Sequence, residues 1–323
     1  MTEAELLRMF STMLLIRRFE ERTTEVHWLR TDPARAGIFG LLHTCDGQEA
    51  TAVGGNFPLR SDDYMTCTYR GHGHLIAKGV EPRAIMAELF GKKAGINEGK
   101  AGSMMMSDPT KGALGENAVV GAAIPIAVGA AMSAKLRGSG QVAITFFGDG
   151  AMNQGYFHEA ANLASVWQAP IVFFLENNLY SESTPIRSMV NIERLCDRAA
   201  AYGIPAVQID GNDVLLVHET TRAAVERARS GGGPTLIEAL TYRLVTHWIG
   251  REGDKRPKDE VERWRQRDPI VLFEARLADD FGIARERLAE VRAEVEREVE
   301  AIVAFAEQTP VPEPEDASKG VFG

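Results

Sequence analysis

Apolar residues first recur at helical spacing. Leu6, Met9, Phe10, Met13 and Leu14 predict a helix over 2–30, opened by Thr2 and an acidic first turn. A stretch holding Gly, His and Cys follows, from His43 to Asn56. A second helix is expected from Pro82, a favourable first-turn residue, to Leu89 and Phe90. Residues 91–117 are rich in Gly and Ala and carry few large apolar side chains, so they read as a long loop region. The pattern then changes to strand and helix in alternation. Val142–Phe147, Ile171–Leu175, Ala206–Ile209 and Thr235–Leu240 are short, nearly continuous apolar runs that end at polar or Gly residues. Such strands, separated by helices, predict an α/β fold with a mostly parallel sheet covered on both faces. The 17 residues 118–134, mostly Ala and Gly, are too short for a membrane span and read as a buried helix. Leu288, Val291, Val295, Val299 and Ile302 form one apolar stripe of a last helix over 284–307. The expected organisation is one domain over 1–308 with helical extensions at both ends. A Pro- and acid-rich tail, 309–323, is expected to be extended or mobile.

Composition narrows the class. With 45% apolar and 25% charged residues, the 323-residue chain is an ordinary globular sequence, neither disordered nor coiled-coil. Its 36 basic and 45 acidic residues give a net charge of −9, which disfavours nucleic acid and anionic membranes as partners. A local basic site for an anionic cofactor stays open. Cys45, Cys67 and Cys196 are widely spaced and form no C-x-x-C pair, and the N-terminus lacks the pattern of a signal or transit peptide, so a cytoplasmic location is expected.

Several motifs fail on spacing. His158-Glu159 is not followed by a histidine at 162, which is Asn162; Gly148-Asp149-Gly150 lacks a dinucleotide fingerprint's third glycine, since 153 is Asn153; Gly99-Lys100 is followed by Ala101 rather than Ser or Thr. No serine sits in a G-x-S-x-G elbow. What survives is Gly148-Asp149-Gly150 together with Asn177-Asn178, with 26 residues between Gly150 and Asn177. Both lie at the carboxyl ends of expected strands, where open α/β sheets bind ligands. Asp149 offers an anionic oxygen and Asn178 a neutral one, suited to Mg²⁺, and the amides of Gly150 and Ala151, at the start of a helix over 153–167, suit a diphosphate. The alternative is a capping aspartate and a polar turn.

Gly148-Asp149-Gly150-Ala151-Met152-Asn153-Gln154-Gly155 and Glu176-Asn177-Asn178-Leu179-Tyr180 resemble the thiamine-diphosphate motif. In detail the chain resembles the α subunit of the two-chain 2-oxo acid dehydrogenases, over roughly 5–275, through His43–Ala50, Tyr69-Arg70-Gly71-His72, Gly99–Met104, and Thr241-Tyr242-Arg243 with His247 beyond. The resemblance implies a thiamine-diphosphate-binding fold. It implies Mg²⁺ on Asp149, the Asn178 side-chain oxygen and the Tyr180 carbonyl, with the diphosphate and water completing the set. Tyr69 and Arg70 match diphosphate contacts, Gly148, Gly150 and Ala151 close backbone approach, and Ala118 and Val120 the backbone that holds the aminopyrimidine. His43 and His247 match active-site histidines, suited to proton transfer by an ordinary pKa near 6.5.

The implied activity is acyl transfer from pyruvate, a branched 2-oxo acid or acetoin to a lipoyl group on a separate acyltransferase. The glutamate that activates the aminopyrimidine is expected on a β subunit, in an α2β2 assembly. Where the family often has Ser-Met-His, this chain has Ser103-Met104-Met105, and Met104–Met106 fit either an apolar substrate channel or core filling. Trp248 stands where some members carry a phosphorylated serine, so that control is not implied. Leu179–Glu182 and Glu252-Gly253-Asp254 lean toward acetoin-type members. Two other readings remain: a thiamine-dependent carboligase or decarboxylase half that uses no lipoyl partner, motivated by Met105, and a catalytically silent cofactor-binding subunit.

Overall fold

The computed structural model describes residues 1–29, 37–38, 40–250 and 253–320. Helix α1 (Glu3–Leu29) opens on a reciprocal cap, in which the Glu5 amide donates to Thr2 Oγ1 and the Thr2 amide to Glu5 Oε2. Residue 30, the expected end of this helix, lies outside the described residues. Short helices α2 (Glu49–Asn56), α3 (His72–Lys78) and α4 (Pro82–Leu89) follow, with strand β1 (Tyr64–Thr68) between α2 and α3. Strand β2 (Ala113–Asn117) precedes α5 (Ala123–Arg137), β3 (Ala143–Gly148), α6 (Gly155–Val166) and β4 (Ile171–Asn177). A hairpin of β5 (Tyr180–Ser181) and β6 (Thr184–Pro185) leads to β7 (Ala206–Asp210), α7 (Val214–Arg229) and β8 (Thr235–Leu240). Helices α8 (Lys258–Arg265), α9 (Pro269–Asp279) and α10 (Arg285–Gln308) complete the order.

The main sheet is six-stranded and wholly parallel, in the order β2-β1-β3-β4-β8-β7. Its central strands hide a period of two inside their nearly continuous apolar runs. Ile144, Phe146, Val172, Phe174 and Ile237 face one core, under α1, α2, α7 and α10; Ala143, Phe147, Ile171, Phe173 and Leu236 face another, under α5 and α6. The chain leaves β1 toward the β2 edge and leaves β3 toward β4, so the topological switch lies between the tips of β1 and β3.

Three regions depart from the sequence expectations. The stretch 43–56 contains helix α2, and the expected loop 91–117 ends in edge strand β2. The tail does not run free: Pro314–Ser318 form a helical turn, the Lys93 amide donates to the Pro310 carbonyl (2.9 Å), and buried Asp316 pairs with Lys93 (3.0 Å) and Lys319. Residues 321–323 lie outside the described residues. Among the described residues, no helix is long and apolar enough to cross a membrane.

Candidate active site

A cleft enclosing about 680 Å³ of non-atom space, part of it open to solvent, lies at the carboxyl ends of the strands. Its walls are the residues that follow each strand: Tyr69 and Arg70 after β1, Val120 after β2, Asp149 after β3, Asn178 after β4, and Arg243 and His247 after β8. The switch point between β1 and β3 thus sets Arg70 opposite Asp149. Gly148, Gly150, Ala151 and Tyr180 also line the cleft. A side chain at Gly150 would meet Ser181 Cβ at 2.8 Å, so the backbone closes there only with glycine.

One wall consists of acceptors. Asp149 Oδ1 takes the Gly150 amide (2.7 Å), while buried Asp149 Oδ2 has no hydrogen-bond partner. Burial raises the Asp149 pKa to about 6, against the pull of the Gly150 amide and Arg243. The Asn178 Nδ2 group donates to Gln48 Oε1 (3.3 Å), which turns the other end of the amide, Oδ1, away from Gln48; that oxygen is also buried and unpartnered. Its neighbour Asn177 has a different task, holding Glu238 (2.7 Å) and the Leu179 amide (3.2 Å) beneath the turn. Leu179 sits at a φ of 70°, and this strained turn keeps both Asn178 and Tyr180 on the cleft.

The opposite wall is cationic. Arg70 donates to the carbonyls of Thr44 (2.5 Å) and His247 (2.9 Å) and lies 3.3 Å from His247 Nδ1. Arg243, almost wholly buried, donates one Nη2 hydrogen bond to the Glu182 carbonyl (2.8 Å), and its Nε and Nη1 have no partner. Burial, then the charges of Arg70 and Arg256, depress the Arg243 pKa to about 9. His43, Tyr69 and His247 form a cluster of three rings, with centroids 4.5–5.8 Å apart. Burial and the nearby guanidiniums push His43 down to about 3 and His247 to about 2. Both rings are therefore held in the neutral form, with pKa values well below the ordinary histidine pKa. The contact with Arg70 makes His247 Nδ1 an acceptor and leaves the ring proton on Nε2.

Orphaned oxygens on Asp149 and Asn178 and orphaned guanidinium nitrogens on Arg243, lining one cleft, fit a bound cation together with an anion. Asp149 Oδ2 and Asn178 Oδ1 are hard oxygen donors suited to Mg²⁺, and Arg70 and Arg243 suit phosphate oxygens. Among the described residues, no group of three His, Cys, Asp or Glu is placed to hold a metal by itself.

Other expectations land differently. Ala118 is exposed and does not line the cleft, and Val120, which does, is 41% exposed. His43 packs against Tyr69 and His247 without lining the cleft. The amides of Gly150 and Ala151 open a 3-10 turn, Asp149–Asn153, and α6 starts only at Gly155, so neither they nor Asp149 cap that helix. Met106 fills the core, Met105 is 58% exposed, and none of Met104–Met106 lines the cleft. Arg243 was not singled out as a site residue by sequence reasoning. Its signal was its place just beyond an apolar strand, within the Thr241-Tyr242-Arg243 motif.

A family model, Dehydrogenase E1 component, matches residues 11–315. The chain is 42% identical to the alpha subunit of acetoin:2,6-dichlorophenolindophenol oxidoreductase from Bacillus subtilis (strain 168), over all of this chain and 95% of that one. It is 43% identical to the subunit of the same name from Cupriavidus necator, over 98% of this chain and 94% of that one. Identity to the pyruvate dehydrogenase E1 component subunit alpha of Porphyra purpurea is 36%, over all of this chain and 94% of that one. The chain belongs to the dehydrogenase E1 component family, among the alpha subunits of its 2-oxo acid and acetoin dehydrogenases. These are oxidoreductases that use thiamine diphosphate.

Proposed function

We propose that this chain is the diphosphate-binding half of an acetoin dehydrogenase, with Mg²⁺ held by Asp149, the Asn178 side chain and the Tyr180 carbonyl. The observation that carries this reading is the pairing of unpartnered acceptors on Asp149 and Asn178 with unpartnered donors on Arg243 in one cleft. Acetoin is favoured over pyruvate because the relatives named for acetoin are 42 and 43% identical and several named for pyruvate dehydrogenase 34–37%. The Leu179–Glu182 segment supports the same choice. In the second sequence signal, Glu252 lies outside the described residues, and Asp254 pairs with Arg256 (2.6 Å).

When bound, thiamine diphosphate supplies a nucleophilic carbon and an electron sink for breaking the bond beside a carbonyl. The chain's own residues bind and orient. Arg70 and Arg243 receive phosphate oxygens, Asp149 and Asn178 hold the metal, and Ala118 and Val120 offer backbone to the aminopyrimidine. His247, its Nδ1 engaged by Arg70, offers its Nε2 proton to the substrate oxygen, and His43, packed against that ring, orients it. The exposed rim at Val119 and Val120, 57% and 41% accessible, supports completion of the site by a β subunit that brings the activating glutamate, in an α2β2 assembly. A lipoyl-bearing acyltransferase accepts the acyl group. Three separate, buried, unpaired cysteines support a cytoplasmic location.

The test is an assay of the complex with thiamine diphosphate and Mg²⁺, with 2,6-dichlorophenolindophenol as electron acceptor. Acetoin should reduce the dye at a higher kcat/KM than pyruvate or branched 2-oxo acids. A preference for pyruvate would move the assignment to pyruvate dehydrogenase. With a lipoyl domain supplied in place of the dye, substrate consumption without acylation of that domain would favour the carboligase reading.

A further inference from the structure

Behind the cationic wall lies a set of buried charges that does not reach the cleft. Glu20 and His72 are fully buried, and Glu116 nearly so. His72 Nδ1 lies 2.9 Å from Glu20 Oε2, and its Nε2 lies 3.0 Å from Ser103 Oγ. Glu20 Oε1 accepts the Cys45 amide (3.1 Å). Glu116 uses both oxygens in the same way, accepting the amides of Gly71 (3.1 Å) and Met106 (3.1 Å). A side chain at Gly71 would meet Glu116 Oε1 at 2.6 Å and Cys67 Sγ at 2.6 Å, so this approach requires glycine.

These contacts fix the chain on which Arg70 rests and the chain that follows it. Its guanidinium rests on the Thr44 carbonyl, and the next amide, Cys45, is fixed by Glu20. Its own next amide, Gly71, is fixed by Glu116, and the ring after that by Glu20 and Ser103. The far ends of the frame, Ser103 and Met106, belong to a loop that is itself ordered on a buried carboxylate. Glu88 gathers the amides of Asn97 (2.8 Å), Gly99 (2.8 Å), Ala101 (2.6 Å) and Gly102 (3.2 Å).

We propose that Glu116 and the Glu20–His72 pair are positioning residues for Arg70, and that they couple the cofactor's diphosphate site to the loop 101–106. The physical reason for buried carboxylates here is bivalence. Each has two acceptor oxygens, so one side chain joins two chain segments that no regular structure connects, and the accepted amides offset its desolvation. Replacing Glu116 with Gln turns one oxygen into a donor facing an N–H, which releases either the Gly71 or the Met106 segment. The proposal rests on Arg70 receiving the diphosphate.

The experiment is calorimetric titration of thiamine diphosphate with Mg²⁺ into the full chain in complex with its β subunit. Wild type is compared with Glu116→Gln, His72→Asn, Arg70→Ala and the double variant Arg70→Ala/Glu116→Gln. Glu116→Gln and His72→Asn are each expected to weaken binding about tenfold, as loss of a positioning partner does. With Arg70 already removed, Glu116→Gln should weaken binding by less than about twofold, because its effect passes through Arg70. A tenfold loss in both backgrounds would reduce Glu116 to a general structural role and overturn the proposal, as would unchanged affinity in both single variants. Gly71→Ala, which displaces Glu116 without altering it, gives a second route should Glu116→Gln fail to fold, and the same loss is expected. Absence of binding by the wild type would instead defeat the underlying cofactor reading.

Discussion

The two walls of the cleft differ in how they are built. The acceptor wall, Asp149 and Asn178, stands on the tips of two central strands, whose side chains are buried throughout and whose position is fixed by the sheet register Gly148↔Glu176. The cationic wall, Arg70, Arg243 and His247, stands on chain that has left the sheet, and is held by carbonyls and by carboxylates behind it. A rigid acceptor pair suits a metal ion, whose oxygen distances tolerate little error. A cationic wall that carries repulsion among Arg70, Arg243 and Arg256 stores an electrostatic cost that a diphosphate relieves.

Substitutions can break this contrast at either wall. The largest effect is expected at the acceptor wall: Asp149→Ala should abolish Mg²⁺-dependent cofactor binding, a loss of more than about 100-fold by calorimetry, because the metal keeps no anionic protein ligand. On the other wall, His247→Ala should lower kcat about 100-fold while leaving cofactor affinity within a few-fold, which steady-state kinetics would separate. Arg243→Met should cost about tenfold in cofactor affinity yet raise the melting temperature of the cofactor-free chain by about 2–4 °C. A drop in that melting temperature would show that the guanidinium is a net stabiliser and that the stored repulsion is absent.

Proton competition sharpens the contrast further. The Asp149 pKa of about 6 lies above its ordinary 3.8. The folded state therefore binds the extra proton between these values, and the contribution of Asp149 to the stability of the cofactor-free chain falls as pH rises from about 4 to 6. Mg²⁺ must displace that proton, so metal affinity is expected to fall about tenfold per unit below pH 6, as metal titrations at pH 5 and 7 would measure. The smallest effect belongs to the surface. Lys93→Ala, which removes a half-exposed partner of Asp316, should shift the melting temperature by no more than about 2 °C.

The same division explains what could be read from the chain. Strands β3, β4 and β8 were legible because burial on both faces makes them largely apolar, and the ends of β3 and β4 located Asp149 and Asn178. Strands β1 and β2 lie toward the edge and contain Tyr, Thr, Gly and Glu, so local pattern did not reveal them. Helix α2 was hidden by its own Gly54 and Gly55. They are poor helix formers, but a side chain there would meet Val217 Cγ1 at 2.7 Å and the Phe146 ring at 2.6 Å. The order of the Gly-rich loop before β2 rests on Glu88 and Glu116, whose partners are distant or irregular and carry no periodic signal. The lowered pKa values of His43 and His247 arise from burial and then from Arg70 and Arg243, and only the folded chain supplies either.

The central claim is that the cleft takes a metal and a diphosphate together. It is tested most directly by titrating the assembled complex with thiamine diphosphate and with unphosphorylated thiamine, each with and without Mg²⁺. Tight binding is expected only of the diphosphate, and only with Mg²⁺ present. Equal binding of thiamine, or indifference to Mg²⁺, would contradict it.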